Sequence, residues 1–281
     1  MVLAFSGGLA APLMAEIDTP QGLAWPETPS LNFYGMPGLI DTPSAEMLPD
    51  AQFVPSVASF AGITRINLLA QALPGVMVGF RYTETKDRNL FGFGDYYDRN
   101  FDVRFRLWDE GHYRPAVAVG LQDFAGTGIY SGEYLVATKH LTSQSLPGRL
   151  KVTAGLGWGR LGSSGSIATL GNRGSFTAGD TGGELSTDQW FRGDVAPFAG
   201  VEWTYGKWGV KAEYSSDAYV QETQQASVFE RKSDFNLGVE YQASRQLRLG
   251  AYYLYGSEFG ISAQIQMNPR HPATKMQVPA P

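Results

Sequence analysis

The sequence predicts an all-β fold, a transmembrane antiparallel up-and-down β-barrel of about 12 strands in the outer membrane of a Gram-negative bacterium. Three observations predict it. Apolar and polar residues alternate along many segments, and these segments are long enough to cross a bilayer at a tilt. Long and short connections alternate between the segments. Aromatic residues collect near the segment ends, where the two membrane interfaces would lie.

The composition agrees with this class and excludes others. Of the 281 residues, 13% are aromatic, 17% are charged and 34 are glycine, which is typical of many strands joined by turns. The net charge of −5 argues against a nucleic acid partner, because phosphate binding needs a basic surface. The chain has no cysteine, which excludes disulfides, thiolate metal sites and a cysteine nucleophile.

The chain divides into four predicted parts. Residues 1–15 are apolar and rich in small residues, which predicts the remnant of a signal peptide, with a buried N-terminal segment as the alternative. Residues 16–50 are proline-rich, and we expect a periplasmic lead-in or a plug of the barrel mouth. Residues 51–268 are the predicted outer-membrane barrel, and residues 269–281 are a proline-rich tail.

Alternation with period 2 locates the strands. In residues 148–160, for example, Val152 and Leu156 alternate with Lys151 and Thr153. Such alternation predicts strands at 51–60, 62–71, 75–84, 98–109, 113–124, 128–140, 148–160, 194–205, 207–216, 233–243, 245–256 and 258–268.

The connections orient this barrel in the membrane. The long ones, 85–97, 161–193 and 217–232, each follow an odd-numbered strand, whereas even-numbered strands end in shorter turns. Outer-membrane barrels have the same asymmetry, with short periplasmic turns and long external loops. Outward-facing aromatic residues then predict two girdles. They are Trp203, Tyr205, Trp208 and Tyr241 at the short-turn end, and Tyr82, Phe101, Trp158, Tyr214, Phe235, Tyr253 and Phe259 at the long-loop end.

Motifs of known chemistry are weak in this chain. Residues 157–162, GWGRLG, match the glycine pattern of dinucleotide sites, but the loop-like residues that follow cannot open the required helix. His112, His140 and His271 have no metal-ligand spacing and no Ser-His-Asp order. A phospholipase-type His–Ser pair at the external rim is disfavoured, because two of these histidines fall on the short-turn side. We therefore expect no catalytic residue, no metal site and no cofactor.

One acidic and aromatic stretch, residues 94–102, belongs to a predicted external loop. Its aspartates (Asp95, Asp98 and Asp102) lack the frame of a known calcium loop. Tyr96 and Tyr97 are candidates for stacking on sugar rings. The alternative is a solvated loop with aromatic anchors.

Charged residues at inward-facing positions are the candidate polymer path. They are Arg81, Asp102, Arg104, Arg106, Lys151, Glu202, Lys211, Glu213, Glu240 and Arg248. Opposite charges could pair across the wall and fill a narrow barrel. They could equally line a hydrated passage or docking surface for a polar polymer. The sequence leaves both readings open.

Three strings resemble the YjbH/GfcD family of outer-membrane barrels. They are YGMPGLIDTPSAEMLPD (34–50), YYDRNFDVRFRLWDEGHYRPAVAVGLQDFAGTGIYSGEYLVATK (96–139) and RLKVTAGLGWGRLGS (149–163). The resemblance implies a role in exopolysaccharide and capsule production, and it implies no catalytic residues. It also implies a secreted polysaccharide and periplasmic or lipoprotein components of the same pathway as partners, besides outer-membrane lipid. Members of the family are longer, so we expect a short variant or the first barrel of a longer protein.

The expected function is therefore non-catalytic assistance of exopolysaccharide or capsule assembly or export. Two alternatives remain at this stage. One is a structural barrel whose external loops bind polysaccharide at the cell surface, and the other is a general diffusion porin.

Overall fold

The computed structural model describes residues 28–86, 94–143, 146–174, 185 and 187–269. The predicted signal peptide (1–15) and all but the first residue of the predicted tail lie outside the described residues. Within the described ranges the chain is mostly strand and turn. No helix in these ranges is both long and apolar enough to cross a bilayer.

The strands form one closed antiparallel barrel of twelve strands, which confirms the predicted fold class. Neighbouring strands in sequence are hydrogen-bonded, and the last strand pairs with the first, where Ser56 lies opposite Gln264 and Phe60 opposite Gly260. In chain order the strands are β1 (Phe53–Phe60), β2 (Ile63–Leu73), β3 (Val76–Thr85), β4 (Tyr96–Trp108), β5 (Ala116–Gln122), β6 (Gly132–Ser143), β7 (Leu146–Gly159), β8 (Ala168–Leu170), β9 (Gly193–Tyr205), β10 (Trp208–Tyr214), β11 (Phe235–Gln242), β12 (Leu247–Leu254) and β13 (Glu258–Ile265). The short β8 lies in a long loop, pairs with β9 and is not a barrel strand.

The strand boundaries differ most from the prediction around β5 and β6, and the sixth strand, expected over 128–140, spans Gly132–Ser143. The fifth strand was expected over 113–124, but it spans only Ala116–Gln122. It ends where Asp123 adopts a left-handed backbone with φ 51°, which turns the chain into a loop over 123–131. The next strand begins at Gly132.

The barrel wall has an apolar outer face and a polar inner face. Outward side chains of β11 and β13 are the most exposed, with Phe259 at 78%, Ile261 at 65% and Phe235 at 63%. Polar residues at the alternate positions are buried, among them Asn236 and Gln264. An exposed apolar surface that runs around a whole barrel is stable in lipid, so this chain is an outer-membrane barrel.

Aromatic pairs lie at both ends of this outer face. At the short-turn end Trp203 and Tyr205 stack at 6.0 Å, next to the turn that leads to Trp208. At the long-loop end the rings of Tyr253 and Phe259 lie 5.2 Å apart. Rings with a polar edge favour the two membrane interfaces, which fixes the height of the barrel in the bilayer.

Residues 28–50, here called the inner segment, lie inside the barrel. The segment folds back on itself through bridges between Leu31 and Pro37 and between Gly38 and Pro43. Its apolar side chains complete buried clusters with inward-facing wall residues: Phe33 with β12, Leu48 with β3 and Ala45 with β6. Contacts with strands on all sides of the wall place the segment in the lumen.

Candidate functional site

The charged interior of the barrel is the candidate site, and nine of the ten predicted lumen residues are buried. Arg106 differs, because its side chain is 34% exposed near the short-turn end and pairs with Asp109 at 2.5 Å. The buried nine are Arg81, Asp102, Arg104, Lys151, Glu202, Lys211, Glu213, Glu240 and Arg248.

Part of this charge is paired within the wall. Arg81 and Asp102 form a buried ion pair at 2.6 Å. Lys211 and Glu240 form another at 2.7 Å. A charge removed from water needs a close partner, and strand pairing places these partners on neighbouring strands.

Glu213 binds the inner segment through main-chain amides. Its carboxylate accepts hydrogen bonds from the backbone N–H groups of Ile40 at 2.9 Å, Asp41 at 2.8 Å and Thr42 at 3.1 Å. The Thr42 hydroxyl donates to the same carboxylate at 2.7 Å. Consecutive amides that converge on one carboxylate form a nest, and the charge of the acceptor strengthens each bond.

Cationic wall residues bind the carbonyl groups of the same segment. Arg104 donates to Pro37 O at 2.9 Å and to Glu46 O at 3.0 Å. Lys211 donates to Leu39 O at 2.8 Å, which adds to its ion pair. Arg248 and Arg81 bind further carbonyls of the segment. The wall therefore holds the backbone of the inner segment with both signs of charge.

At the long-loop end, aromatic rings and arginines close the lumen over the turn of the inner segment. The Arg65 guanidinium lies 4.3 Å from the Tyr34 ring centroid, and the Tyr34 hydroxyl donates to Asp217 at 2.8 Å. Arg160 pairs with the same carboxylate at 2.5 Å. Tyr219, from the loop after β10, donates to Asp41 at 3.0 Å. External loop and inner segment thus meet in one buried cluster.

The buried carboxyl of Asp41 stands out electrostatically. Burial, with Glu213 as a neighbouring negative charge, raises the pKa of Asp41 well above its ordinary value. Burial at this position therefore disfavours the charged form of the carboxyl.

At the short-turn end, Glu46 ties the inner segment to the wall. Its carboxylate lies 2.8 Å from the Lys151 ammonium and 3.2 Å from Nε2 of His140. Nδ1 of the same ring lies 2.6 Å from Glu110, in the turn after β4. Burial alone would raise the pKa of Glu46, but Lys151 and the His140 ring hold it well below its usual range.

The sequence missed several residues of this interior. Arg65 lies in a predicted strand on the inward-facing side, so the alternation itself could have identified it. Glu46 and Tyr34 lie in the proline-rich stretch, where no period predicts which way a side chain points. Arg160 directly follows β7, at a position where the sequence locates the strand boundary only approximately.

The two candidate sugar-stacking tyrosines begin β4 and do not lie in a loop. Tyr97 is half-exposed, its ring stacks on Tyr82 at 5.9 Å and its hydroxyl donates to Glu84 at 3.3 Å. The Tyr96 side chain is partly buried. This placement leaves one face of Tyr97 open at the long-loop end.

Asp98 of the acidic stretch and His112 each contact neighbouring side chains of the protein. Asp98 is buried and accepts hydrogen bonds from Asn100 at 2.7 Å and Thr127 at 3.0 Å. His112 packs edge-on against Tyr113 in the turn after β4. Across the described ranges, three or more His, Cys, Asp or Glu side chains nowhere come together as metal ligands. His271 lies outside the described residues.

Comparisons with known proteins agree with the resemblance in the sequence. The YjbH family model, described as exopolysaccharide biosynthesis protein YbjH, matches residues 30–281. The uncharacterized lipoprotein YjbH of Escherichia coli (strain K12) is 30% identical over 264 residues, which cover 88% of this chain and 37% of that protein. This chain thus spans well under half the length of that relative.

Two solved barrels are similar in structure at low sequence identity. The COG4313 outer membrane channel from Pseudomonas putida F1 is 10% identical with a TM-score of 0.45, over 81% of this chain and 100% of the channel. The KdgM porin is 7% identical with a TM-score of 0.42, over 76% of this chain and 98% of the porin.

Proposed function

Because this chain belongs to the YjbH exopolysaccharide biosynthesis family, we propose that its barrel assists assembly or export of exopolysaccharide or capsule without covalent chemistry. One observation carries the proposal: residues 28–50 occupy the lumen and are hydrogen-bonded to wall residues on several strands. A filled interior supports a barrel that is closed in its resting state. It disfavours a general diffusion porin, which needs a permanent aqueous passage.

The use of the buried charges supports the non-catalytic part of this proposal. Lys211 is within hydrogen-bond distance of both Glu240 and the inner segment, and Glu213 is engaged by four donors of that segment. These groups stabilise the position of a peptide segment. A general base or nucleophile would instead need free access to a substrate.

The ten lumen residues become a polymer path only when the inner segment moves. In that state the wall would present both signs of charge to a polar chain, with Arg81 and Asp102 near mid-height and Lys151 and Glu202 near the short-turn end. A secreted polysaccharide and periplasmic or lipoprotein components of the same pathway are the partners we propose. The E. coli relative is itself a lipoprotein by name.

A planar-bilayer experiment tests the closed resting state. We expect the wild-type barrel to show no steady conductance, and a variant that lacks residues 30–50 to conduct continuously. Heat modifiability on a gel verifies that the variant still forms a barrel. Tyr113→Ala, at a side chain that is 93% exposed in a periplasmic turn, is the matched control and should remain closed.

Equal conductance of wild type and deletion variant would contradict the closed state. The role in secretion needs its own measurement. Deletion of the gene should lower the polymer released into the medium, and the wild-type gene should restore it. An unchanged amount of released polymer would overturn the proposed function.

Proposed sugar contacts at Tyr96 and Tyr97 require a separate variant. Tyr97→Ala removes the exposed ring and leaves Tyr82 in place. If the ring stacks on sugar, whole cells with this variant should retain less polymer at their surface than wild-type cells, with equal barrel content. Equal retention would exclude Tyr97 as a sugar contact.

A further inference from the structure

A second site, outside the lumen, lies at the long-loop end between β7, β8 and β9. The loop after β7 turns back there, so that β8 pairs with β9 and Thr169 lies opposite Asp194. Between them is an open cleft of about 440 Å³, here called the rim cleft. It is lined by Gly159, Gly171, Asn172, Arg173, Gly193 and Asp194 together with other small polar residues. Its volume lies within the range of about 300–1,000 Å³ that is usual for ligand sites.

Glycines make room for the Arg173 side chain on one side of the rim cleft. Gly159 has φ 57° and Gly193 has φ 85°, both in the left-handed region that side chains disfavour. A Cβ at Gly159 would lie 2.5 Å from the Arg173 guanidinium and 2.6 Å from Ser131 O, which no side chain allows. A Cβ at Gly193 would lie 3.0 Å from Arg173 Cβ, so glycine at both positions gives the Arg173 side chain the space it occupies in the lining.

Arg173 is fixed before any ligand arrives. Its two terminal nitrogens donate to both carboxylate oxygens of Glu133, at 2.6 Å and 2.9 Å. Nη2 also donates to Ser131 at 2.9 Å, and Nη1 donates to Gln189 O at 3.1 Å. The Glu133 side chain is 2% exposed, so this ion pair attaches the loop to the first residues of β6. Because Glu133 neutralises Arg173, this guanidinium attracts an anionic ligand only weakly.

Two polar side chains of the rim cleft remain available. Asp194 accepts from the Thr169 hydroxyl through Oδ1 at 2.5 Å, which leaves Oδ2 for another donor. The amide of Asn172 has no hydrogen-bond partner among the residues that the structure describes. Asp194 accepts, and Asn172 both donates and accepts. With Arg173 neutralised, the carboxylate of Asp194 is the remaining formal charge of the lining.

We propose that the rim cleft binds a neutral, hydroxyl-rich sugar unit of the exopolysaccharide at the external face. The inference rests on the proposed function for the polymer, and it adds the site and the class of sugar. Hydroxyl groups both donate and accept, which matches the amide of Asn172, and they donate to Asp194. The lining contains no apolar side chain among its described residues, so it suits a hydrated polyol. An acidic sugar would meet the negative charge of Asp194 in the lining, where the Arg173 guanidinium is already paired with Glu133.

Binding to the full-length purified barrel in detergent tests this site directly. The probe is the neutral oligosaccharide fraction from partial hydrolysis of the exopolysaccharide of the source strain, measured by saturation-transfer NMR and calorimetry. The acidic fraction of the same hydrolysate tests the charge argument. Core oligosaccharide from the lipopolysaccharide of the same strain tests the other source of neutral sugar at this surface.

Two variants connect the binding to the rim cleft. Asn172→Ala and Asp194→Asn should each weaken binding of the neutral fraction about tenfold, the effect of one lost hydrogen bond to a polar or charged group. Asp194→Asn keeps an oxygen that can accept from Thr169, so the loop stays in place. Asp188→Asn, at an exposed aspartate of the same loop that does not line the cleft, is the control and should bind as wild type does.

The binding experiments test the sugar site separately from the proposed function. No binding of the neutral fraction, preference for the acidic fraction, binding of the lipopolysaccharide core alone, or equal binding by both variants would overturn the sugar site. Selective neutral binding that both variants weaken would establish it. If gene deletion leaves polymer release unchanged, the secretion role fails while the binding result still stands.

Discussion

The two ends of the inner segment are held by different chemistry. Around Tyr34 and Asp41, at the long-loop end, the partners are buried aromatic rings, arginines and a nest of amides on Glu213. Around Glu46, at the short-turn end, the partners include His140 and Glu110, whose side chains are 20% and 26% exposed. Salt screens partly exposed ion pairs, whereas it hardly reaches buried hydrogen bonds. The inner segment should therefore loosen first at its periplasmic end.

The largest effect should follow removal of the carboxylate that binds the amide nest. Glu213→Ala leaves the backbone N–H groups of Ile40, Asp41 and Thr42 buried without an acceptor, and each orphaned group costs about 1–3 kcal/mol. We expect frequent openings in single-channel recordings at neutral pH and low salt. Glu230→Ala, at a carboxylate that is 77% exposed, is the matched control and should stay closed. Silent recordings from Glu213→Ala would mean that the aromatic cluster holds this end without the nest.

The next effect is a pH response at the long-loop end. Burial and the neighbouring Asp98 carboxylate raise the pKa of Asp123 from 3.8 to about 7. The folded barrel then holds a proton that the unfolded chain releases, so its stability falls as the pH rises from about 4 to 7, by up to about 4 kcal/mol. The loop over 123–131 should therefore be less protected from hydrogen exchange at pH 8 than at pH 5, when each measured rate is divided by the intrinsic rate of a free amide at the same pH.

Asp123→Asn isolates this response. An asparagine can still accept from the Tyr130 amide, as Asp123 does at 3.1 Å, but it cannot ionise. The protection of the loop in this variant, relative to intrinsic exchange rates, should hardly change between pH 5 and pH 8. If the variant keeps the wild-type pH dependence, another group at this end is responsible.

A smaller effect is expected at the short-turn end. Glu46→Gln removes the charge that faces Lys151, although Lys151 keeps Glu202 at 2.5 Å, so the loss should be about 1–3 kcal/mol. We expect brief openings that become more frequent at high salt. The lowered pKa of Glu46 means that its contribution is complete above about pH 4.5 and is lost only as the pH falls through that lowered value. Wild-type barrels should thus remain closed at pH 5, and opening there would contradict the assignment.

The smallest effect is expected at an exposed ion pair on an external loop. Lys232 and Glu230 form an ion pair at 3.2 Å on an external loop, with both side chains more than half exposed. Lys232→Ala should lower the free energy of unfolding by less than about 0.5 kcal/mol. The shift in the thermal midpoint of the barrel should be correspondingly small. A larger shift would show that external charges support the closed loops more than their exposure suggests.

Strands were predictable because each side chain of the wall meets either lipid or the lumen. The alternation of Val152 and Leu156 with Lys151 and Thr153 indicates which side chains face lipid and which face the lumen, and β7 has this arrangement. The inward position of Lys151 came from the same rule. Its partner Glu46 did not, because 105 residues separate the two and no sequence period relates them.

Which wall residues face the interior could be predicted from the sequence, but their hydrogen-bond partners could not. Glu213 was expected to face inward, yet nothing in its strand indicates that amides of residues 40–42 would be its partners. The rim cleft was equally hidden. It depends on Arg173 reaching Glu133 from a loop that has no periodicity. Long-range contacts of irregular chain are set by packing, and sequence patterns describe only local geometry.

The wall binds the inner segment mainly at amide and carbonyl groups, and every residue except proline offers both of these. Most side chains of 28–50 are nevertheless buried, so substitutions should leave this closure intact mainly at less buried positions such as Met47 and Pro49, and not at buried ones such as Phe33. A saturation mutagenesis library scored for antibiotic entry would then find intolerant sites both in the strands, at Glu213, Lys211 and Arg104, and along the buried part of the segment. The permeability barrier of the cell would thus constrain the sequence on both sides of this contact.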